Sequence, residues 1–236
     1  MISSKIKGIC FDYYGTLVDI GKPFDKIKHW FESYHSDHNQ DLNINHFNWL
    51  FAKRRSALLY GKDFKIGMQI LTESYIFACD KLQVRPNIDE FMNIVTNIFS
   101  EAKPFQNAVQ TISFLKQRYL VGLITNADNN LLYDSIRNNR FDFDFIVSSE
   151  DVQCNKPNYE IFIRAMQIVN LSAYELLMVG DSLVEDILPA KKLGIEAIWL
   201  KKDKEEQETI MSIKNIHDLV NCVFCEKNNS SLETIR

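Results

Sequence analysis

Five short apolar runs recur along the chain, at Ile6 to Phe11, Leu120 to Thr125, Phe143 to Val147, Leu176 to Val179 and Glu196 to Leu200. Runs of this length that do not alternate with polar residues are the pattern of strands buried on both faces of a parallel sheet. Helical periodicity fills the spaces between the later runs, at about Gln106 to Arg118, Asn129 to Asn138, Tyr159 to Asn170 and Val184 to Leu193. This alternation predicts an α/β fold: a Rossmann-like, doubly wound parallel core of five strands. Right-handed crossovers in such a core gather its functional loops at the carboxyl ends of the strands. Asp12, Thr125 and Asp181 all fall at those ends.

One interval breaks the alternation. From about Gly21 to Pro104 the apolar residues repeat at helical spacing, as in Phe24, Ile27, Trp30 and Phe31, or Ile70, Leu71, Tyr75 and Ala78, or Ile94, Val95 and Ile98. Four or so helices fit, with Gly21-Lys22-Pro23 and Lys103-Pro104 as punctuation at the two ends. The expected organisation is a core of residues 1–20 and 104–225, a helical bundle of residues 21–103 inserted after the first strand, and a polar tail of residues 226–236. With 236 residues, 46% of them hydrophobic, the chain has enough apolar surface for a core and a smaller appended unit. Most aromatics of the bundle belong to its packing, and Phe24, Trp30, Trp49 and Tyr60 are the candidates to face a cleft.

Charge and composition narrow the function classes. A net charge of -4 with no Lys/Arg block argues against nucleic acid as a partner. No apolar run approaches the roughly 18 residues that would span a bilayer, and the first residues show no signal-peptide pattern. Five scattered cysteines, an odd number, suit free thiols in a reducing compartment. The expectation is a soluble cytoplasmic protein with a small-molecule partner, as a monomer or homodimer. Cys222 and Cys225 have the spacing of a metal or redox pair, but there is no second pair and His217 is the one imidazole nearby, so ordinary thiols are the simpler reading.

Four segments carry candidate chemistry. Asp12 ends the first strand and is followed at once by the turn Tyr13-Tyr14-Gly15-Thr16, which sets an ionised carboxylate where a buried strand opens to solvent. Thr125-Asn126-Ala127 offers a hydroxyl, an amide and backbone N–H donors to an anionic group. Lys156 brings a compact positive charge just ahead of Pro157 and a helical stretch. Gly180-Asp181-Ser182, followed by Asp186, sets two carboxylates five residues apart across a strand-to-helix turn, and hard oxygens of this kind suit Mg²⁺. Each has a plainer explanation alone: Asp caps turns, Thr-Asn starts helices and lysines populate surfaces. Their joint occurrence at the ends of the first, second and fourth strands is what those explanations leave out.

In this order and spacing the four segments resemble the motifs of the haloacid dehalogenase-like hydrolase superfamily, across nearly all of the core. The resemblance implies that Asp12 is a nucleophile, that Lys156 holds it and the transferring group, and that Tyr14, Thr16, Thr125 and Asn126 face the substrate. It implies Mg²⁺ held by Asp12, Asp181 and the main-chain carbonyl of Tyr14, with Asp186 as a further ligand or acting through a water, and the inserted helices as a cap. Phosphatases of the superfamily usually read Asp-x-Asp-Gly-Thr, and here Tyr14 replaces the second Asp, their general acid. The Asp-x-Tyr pattern is similar to that of the 2-haloacid dehalogenases, whose halide leaves without a proton. Those enzymes work without metal, usually carry Ser-Asn where this chain has Gly180-Asp181, and carry an Arg early in the cap, whereas Lys22 to Trp49 contains none and Arg54 and Arg55 come next. The expectation is a Mg²⁺-dependent phosphatase of a small phosphorylated metabolite acting through an aspartyl phosphate. A dehalogenase using an aspartyl ester is the alternative, and a weakly active or inactive ligand-binding module comes third.

Overall fold

The computed structural model describes residues 2–37, 43–201 and 210–224. Its centre is a parallel sheet built from β1 (Gly8–Phe11), β4 (Leu120–Thr125), β5 (Phe145–Ser148), β6 (Leu176–Gly180), β7 (Glu196–Leu200) and β8 (Ser212–Ile213). The strands lie in the order β5-β4-β1-β6-β7-β8. Every residue of β1 and of β6 is buried, which is why these strands read as uninterrupted apolar runs. Five strands match the apolar runs in the sequence, and the sixth is a correction. Ser212–Ile213 pairs with Trp199 and Leu200 at the sheet edge, and a strand of two residues is too short to leave a periodic signal.

The chain winds outward from β1 through β4 to β5, then crosses back to β6 and continues through β7 to β8, so strand order reverses around β1. Helices α5 (Ala108–Leu115), α6 (Asn129–Asn139), α7 (Ser149–Val152), α8 (Tyr159–Val169) and α9 (Leu188–Lys192) make the connections. A crevice beyond the carboxyl ends of β1, β4 and β6 follows from that reversal.

Between β1 and β4 the chain forms the short strand β2 (Val18–Asp19), the helices α1 (Pro23–Asp37), α2 (Ile44–Leu59), α3 (Gly67–Leu82) and α4 (Ile88–Ser100), and the short strand β3 (Lys103–Pro104). The helices enclose their own buried cluster, in which Phe31 stacks on Phe47 and Tyr75 on Phe91. In α4 the buried residues Phe91, Val95 and Ile98 recur at the spacing of one helical face, and Asn87 caps it by accepting from the Glu90 amide. β2 and β3 pair antiparallel, Val18 opposite Pro104 and Asp19 opposite Lys103, so the two links between helices and sheet run side by side. The expected tail of residues 226–236, and Cys225, lie outside the described residues. No helix among the described residues is long and apolar enough to cross a membrane.

Candidate active site

Asp12 leaves β1 with its amide donating to the Val179 carbonyl of β6 at 3.0 Å, which fixes the carboxylate at the head of the crevice. The chain then turns sharply: the Tyr13 carbonyl accepts from the amides of Leu17 at 2.8 Å and Val18 at 3.1 Å. Gly15 takes φ +92 in this turn, and a Cβ there would come within 2.6 Å of Asp181 Oδ2, so the residue is confined to glycine twice over. The turn aims Thr16 at Asp181. Thr16 Oγ1 donates to Asp181 Oδ1 and accepts from the Asp181 amide, both at 3.1 Å, and Asp12 Oδ2 lies 3.4 Å away.

Lys156 is almost fully buried, with Nζ donating to Asp12 Oδ1 at 2.7 Å and to Asp186 Oδ1 at 2.6 Å. The Lys156–Pro157 peptide is cis. Burial alone would push the Lys156 ammonium down, but the Asp12 and Asp186 charges outweigh it and hold the group above its usual range. Asp186 is pushed up from the ordinary carboxylate range, first by burial and then by Asp12, against the pull of Lys156.

Asp186 arrives through a local departure from the expected helix at Val184 to Leu193. The segment Leu183–Ile187 is a single π-helical turn, and α9 begins only at Leu188. The amides of Asp186 and Ile187 both donate to the Ser182 carbonyl, at 3.0 and 3.2 Å, while Asp186 Oδ2 accepts from the Ser182 amide at 3.0 Å. This widened turn swings Asp186 back over Gly180, where any Cβ would collide with its carboxylate. One oxygen from each of Asp12, Asp181 and Asp186 lies within 4.8 Å of the others. With all three carboxylates ionised against one ammonium, the formal net charge of the cluster is two negatives. That donor set and charge fit a hard divalent cation.

Thr125 is buried at the end of β4 and lines the crevice, as its position predicts. Asn126 is placed there too, but its amide is already engaged. Oδ1 accepts from the Lys156 amide at 2.7 Å, and Nδ2 donates to the Lys156 carbonyl at 3.1 Å and to Glu185 Oε2 at 3.2 Å. Its evident task is to clamp the Lys156 segment. Glu185 in turn accepts at Oε1 from the Tyr60 hydroxyl at 3.0 Å, a link from the end of α2 to the core.

The crevice is a cavity of about 270 Å³ between the sheet and α1 to α4, with Asp12, Lys156, Asp181 and Asp186 on one side. Phe24, Ile27, Leu59, Ile70, Leu71, Val95, Ile98 and Phe99 supply the opposite, apolar wall. Tyr14 lines it through its ring, which packs edge-on against Tyr13 and Phe99, while its hydroxyl donates to the Leu131 carbonyl at 3.3 Å. Burial pushes the Tyr14 phenol well above its ordinary range, so it is a poor proton donor to anything in the cavity. Of the other aromatics considered for the cleft, Phe24 lines it, Trp30 packs among Tyr75 and Phe91, Trp49 is exposed, and Tyr60 reaches Glu185.

Several site residues gave no warning in the sequence. Glu185 lies inside the stretch expected to be helical and carries no signal of its own there, and the π turn brings it to the cavity. Asp128 accepts from the amides of Gly67 at 2.5 Å and Met68 at 2.8 Å, docking the start of α3 on the loop after β4. Burial raises its pKa, with the two amides opposing and Glu150 adding to the rise. An Asp ahead of a helix is an ordinary cap signal, so nothing in the sequence marked its partner 61 residues away.

The same architecture recurs in solved structures. That of the putative hydrolase YfnB from Bacillus subtilis, bound to magnesium, superposes with a TM-score of 0.73 at 20% identity, covering 92% of this chain and 98% of that one. Residues 9–200 match the family described as haloacid dehalogenase-like hydrolase, and the chain belongs to that family. It is similar to the glyceraldehyde 3-phosphate phosphatase of Methanocaldococcus jannaschii, at 27% identity over 232 residues, covering 91% of this chain and 97% of the relative. It also resembles the (S)-2-haloacid dehalogenase of Pseudomonas fluorescens, at 23% identity over 231 residues, covering 92% and 96%.

Proposed function

We propose that the chain is a Mg²⁺-dependent phosphatase of small phosphorylated metabolites, with residues 21–103 acting as a cap over the site. The observation that carries this reading is the convergence of Asp12, Asp181 and Asp186 around Lys156. Asp12, Asp181, Asp186 and the Tyr14 carbonyl would hold Mg²⁺, which when bound supplies positive charge to the oxygens of the transferring phosphoryl group. The likeness to a phosphatase over nearly the full length of both chains supports the same conclusion. Free, buried Cys10 and Cys79 fit a cytoplasmic enzyme.

The chain's own residues then divide the work. Lys156 occupies Asp12 Oδ1, leaving Oδ2 to attack phosphorus in line with the departing oxygen. The P–O bond to the leaving group breaks as the aspartyl phosphate forms. The third N–H of Lys156 is available to an equatorial phosphoryl oxygen, and Thr125 faces the same oxygens from β4. Water subsequently attacks phosphorus and releases Asp12. With the Tyr14 hydroxyl turned to Leu131, the leaving group departs without a proton from that position, which favours aryl, enol or acyl phosphates over simple alkyl esters.

Hydrolysis of phenyl phosphate with Mg²⁺, its loss in the presence of a chelator, and its loss in Asp12→Asn test the proposal together. Tyr14 favours a second reading, displacement of halide from carbon by Asp12. Metal-independent halide release from a 2-haloacid, without phosphatase activity, would establish that reading in place of the first.

A further inference from the structure

We propose that Arg55 reads a second anionic group on the substrate, so that the site takes a phosphate monoester with an apolar body and a carboxylate or second phosphate at its far end. This rests on the phosphatase reading and adds the substrate class to it. The cavity has two unlike ends. Its core side holds the carboxylate cluster and Lys156, and its helix side is apolar except for one cation, Arg55 on α2. Lys156 is tied to Asp12 and Asp186 at the core end, which leaves Arg55 as the lining cation at the far end of the cavity.

The neighbouring Arg54 shows the difference between a scaffold arginine and this one. The Arg54 guanidinium sits 3.8 Å from Glu73 and over the Phe77 ring, among residues outside the cavity. The Arg55 guanidinium lies over the Phe24 ring, 5.2 Å from its centroid, and makes no ion pair among the described residues. Phe24 is itself a cavity residue, so this contact places the guanidinium at the cavity wall. The remaining lining carboxylate, Glu185, has its oxygens engaged by Tyr60 and Asn126. Arginine stays protonated at any physiological pH, and beside an apolar wall its charge attracts an anion more strongly than it would in water. A volume of about 270 Å³ suits a phosphoryl group and a body about the size of one ring. The apolar wall selects an apolar body, and Arg55 selects its anionic end.

The test compares 4-carboxyphenyl phosphate with 4-carbamoylphenyl phosphate, which has the same shape and lacks the charge, and with 1,4-phenylene bisphosphate. The wild type is expected to favour one or both anionic esters in kcat/KM by on the order of tenfold, mainly through KM. Arg55→Met, which keeps the stem over Phe24, brings that ratio close to one, while Arg54→Met on the same helix preserves it. The carboxylate and bisphosphate arms separate the two sources of anion. No preference for either anionic ester in the wild type, or a preference that survives Arg55→Met, overturns the proposal. Should Arg55→Met fail to fold by circular dichroism, the wild-type ratio and Arg55→Lys, expected to keep part of the preference, decide instead. Failure to hydrolyse phenyl phosphate would count against the phosphatase reading alone. Calorimetric binding of 4-carboxyphenyl phosphate to wild type and Arg55→Met would then still measure the contact without turnover, and equal affinities would reject it.

Discussion

Lys156 donates to Asp12 at 2.7 Å across 144 residues of sequence, and the same ammonium is the partner of Asp186 at 2.6 Å. Removing it strands two carboxylates at the floor of the cavity. Lys156→Met is therefore expected to lose about 3–5 kcal/mol of stability at neutral pH, the usual consequence of leaving a buried charge without its partner. Urea denaturation measures this, and a loss under 1 kcal/mol would mean that the carboxylates find other compensation.

Gly180 leaves no room for a methyl group beneath the Asp186 carboxylate. Gly180→Ala should push Asp186 out of place at a cost of about 1–3 kcal/mol, typical of overpacking. Mg²⁺ affinity, read by calorimetry, should fall in the same variant, because the displaced carboxylate belongs to the proposed metal cluster. Unchanged affinity would remove Asp186 from the ligand set.

Asp128 fastens the start of α3 to the loop after β4 through two amides. Asp128→Ala should cost about 0.5–2 kcal/mol, the range for losing a helix cap. Hydrogen exchange at the Gly67 and Met68 amides should accelerate, and amides in β1 should not. Unaltered exchange at both positions would show that these amides have another partner.

Burial pushes the Cys10 thiol up to about 12 and the Cys79 thiol up to about 11, from an ordinary value of 9.0. Between pH 9 and those values the folded chain holds protons that the unfolded chain has released, so stability falls as pH rises through that window. Denaturation midpoints at pH 7.5, 9 and 10 should decline over the last step. At pH 8 iodoacetamide should leave both residues unlabelled by mass spectrometry, and rapid labelling of Cys10 would refute its burial.

Tyr14→Asp places a carboxylic acid at the position from which the Tyr14 hydroxyl turns away. If the phosphatase mechanism holds, turnover of an alkyl phosphate should rise relative to phenyl phosphate, since only the alkyl leaving group needs the proton. The same variant gives up ring contacts to Tyr13 and Phe99 and is expected to be less stable than the wild type. An alkyl-to-aryl ratio that does not move would show that position 14 has no part in leaving-group departure.

The residues most easily found in the sequence are those whose chemistry is tied to a strand end. Asp12, Thr125 and Asp181 follow uninterrupted apolar runs, and burial on both faces of the sheet is what makes such runs visible. Lys156 was found by its place before a helix, although its two carboxylate partners depend on long-range packing. Glu185 and Asp128 stayed hidden because a π turn and a distant helix start decide what they touch, and periodicity carries neither. Arg55 showed only as one of two adjacent arginines inside the helical interval. Which of them faced the cavity depended on the rotation of α2 against its neighbours. The edge strand Ser212–Ile213 was missed because two residues cannot display a period.

Because Val18 and Asp19 lie beside Pro104 and Lys103, the chain departs for the helices and comes back at practically the same point. The helices are an excursion that the sheet does not have to accommodate, and their length is invisible to the strands on either side. On the proposed reading, substrate preference and reaction chemistry are thereby written in separate stretches of sequence. The same reading has mutations in the helices retune what is bound while Asp12, Lys156 and Asp181 stay where the sheet puts them.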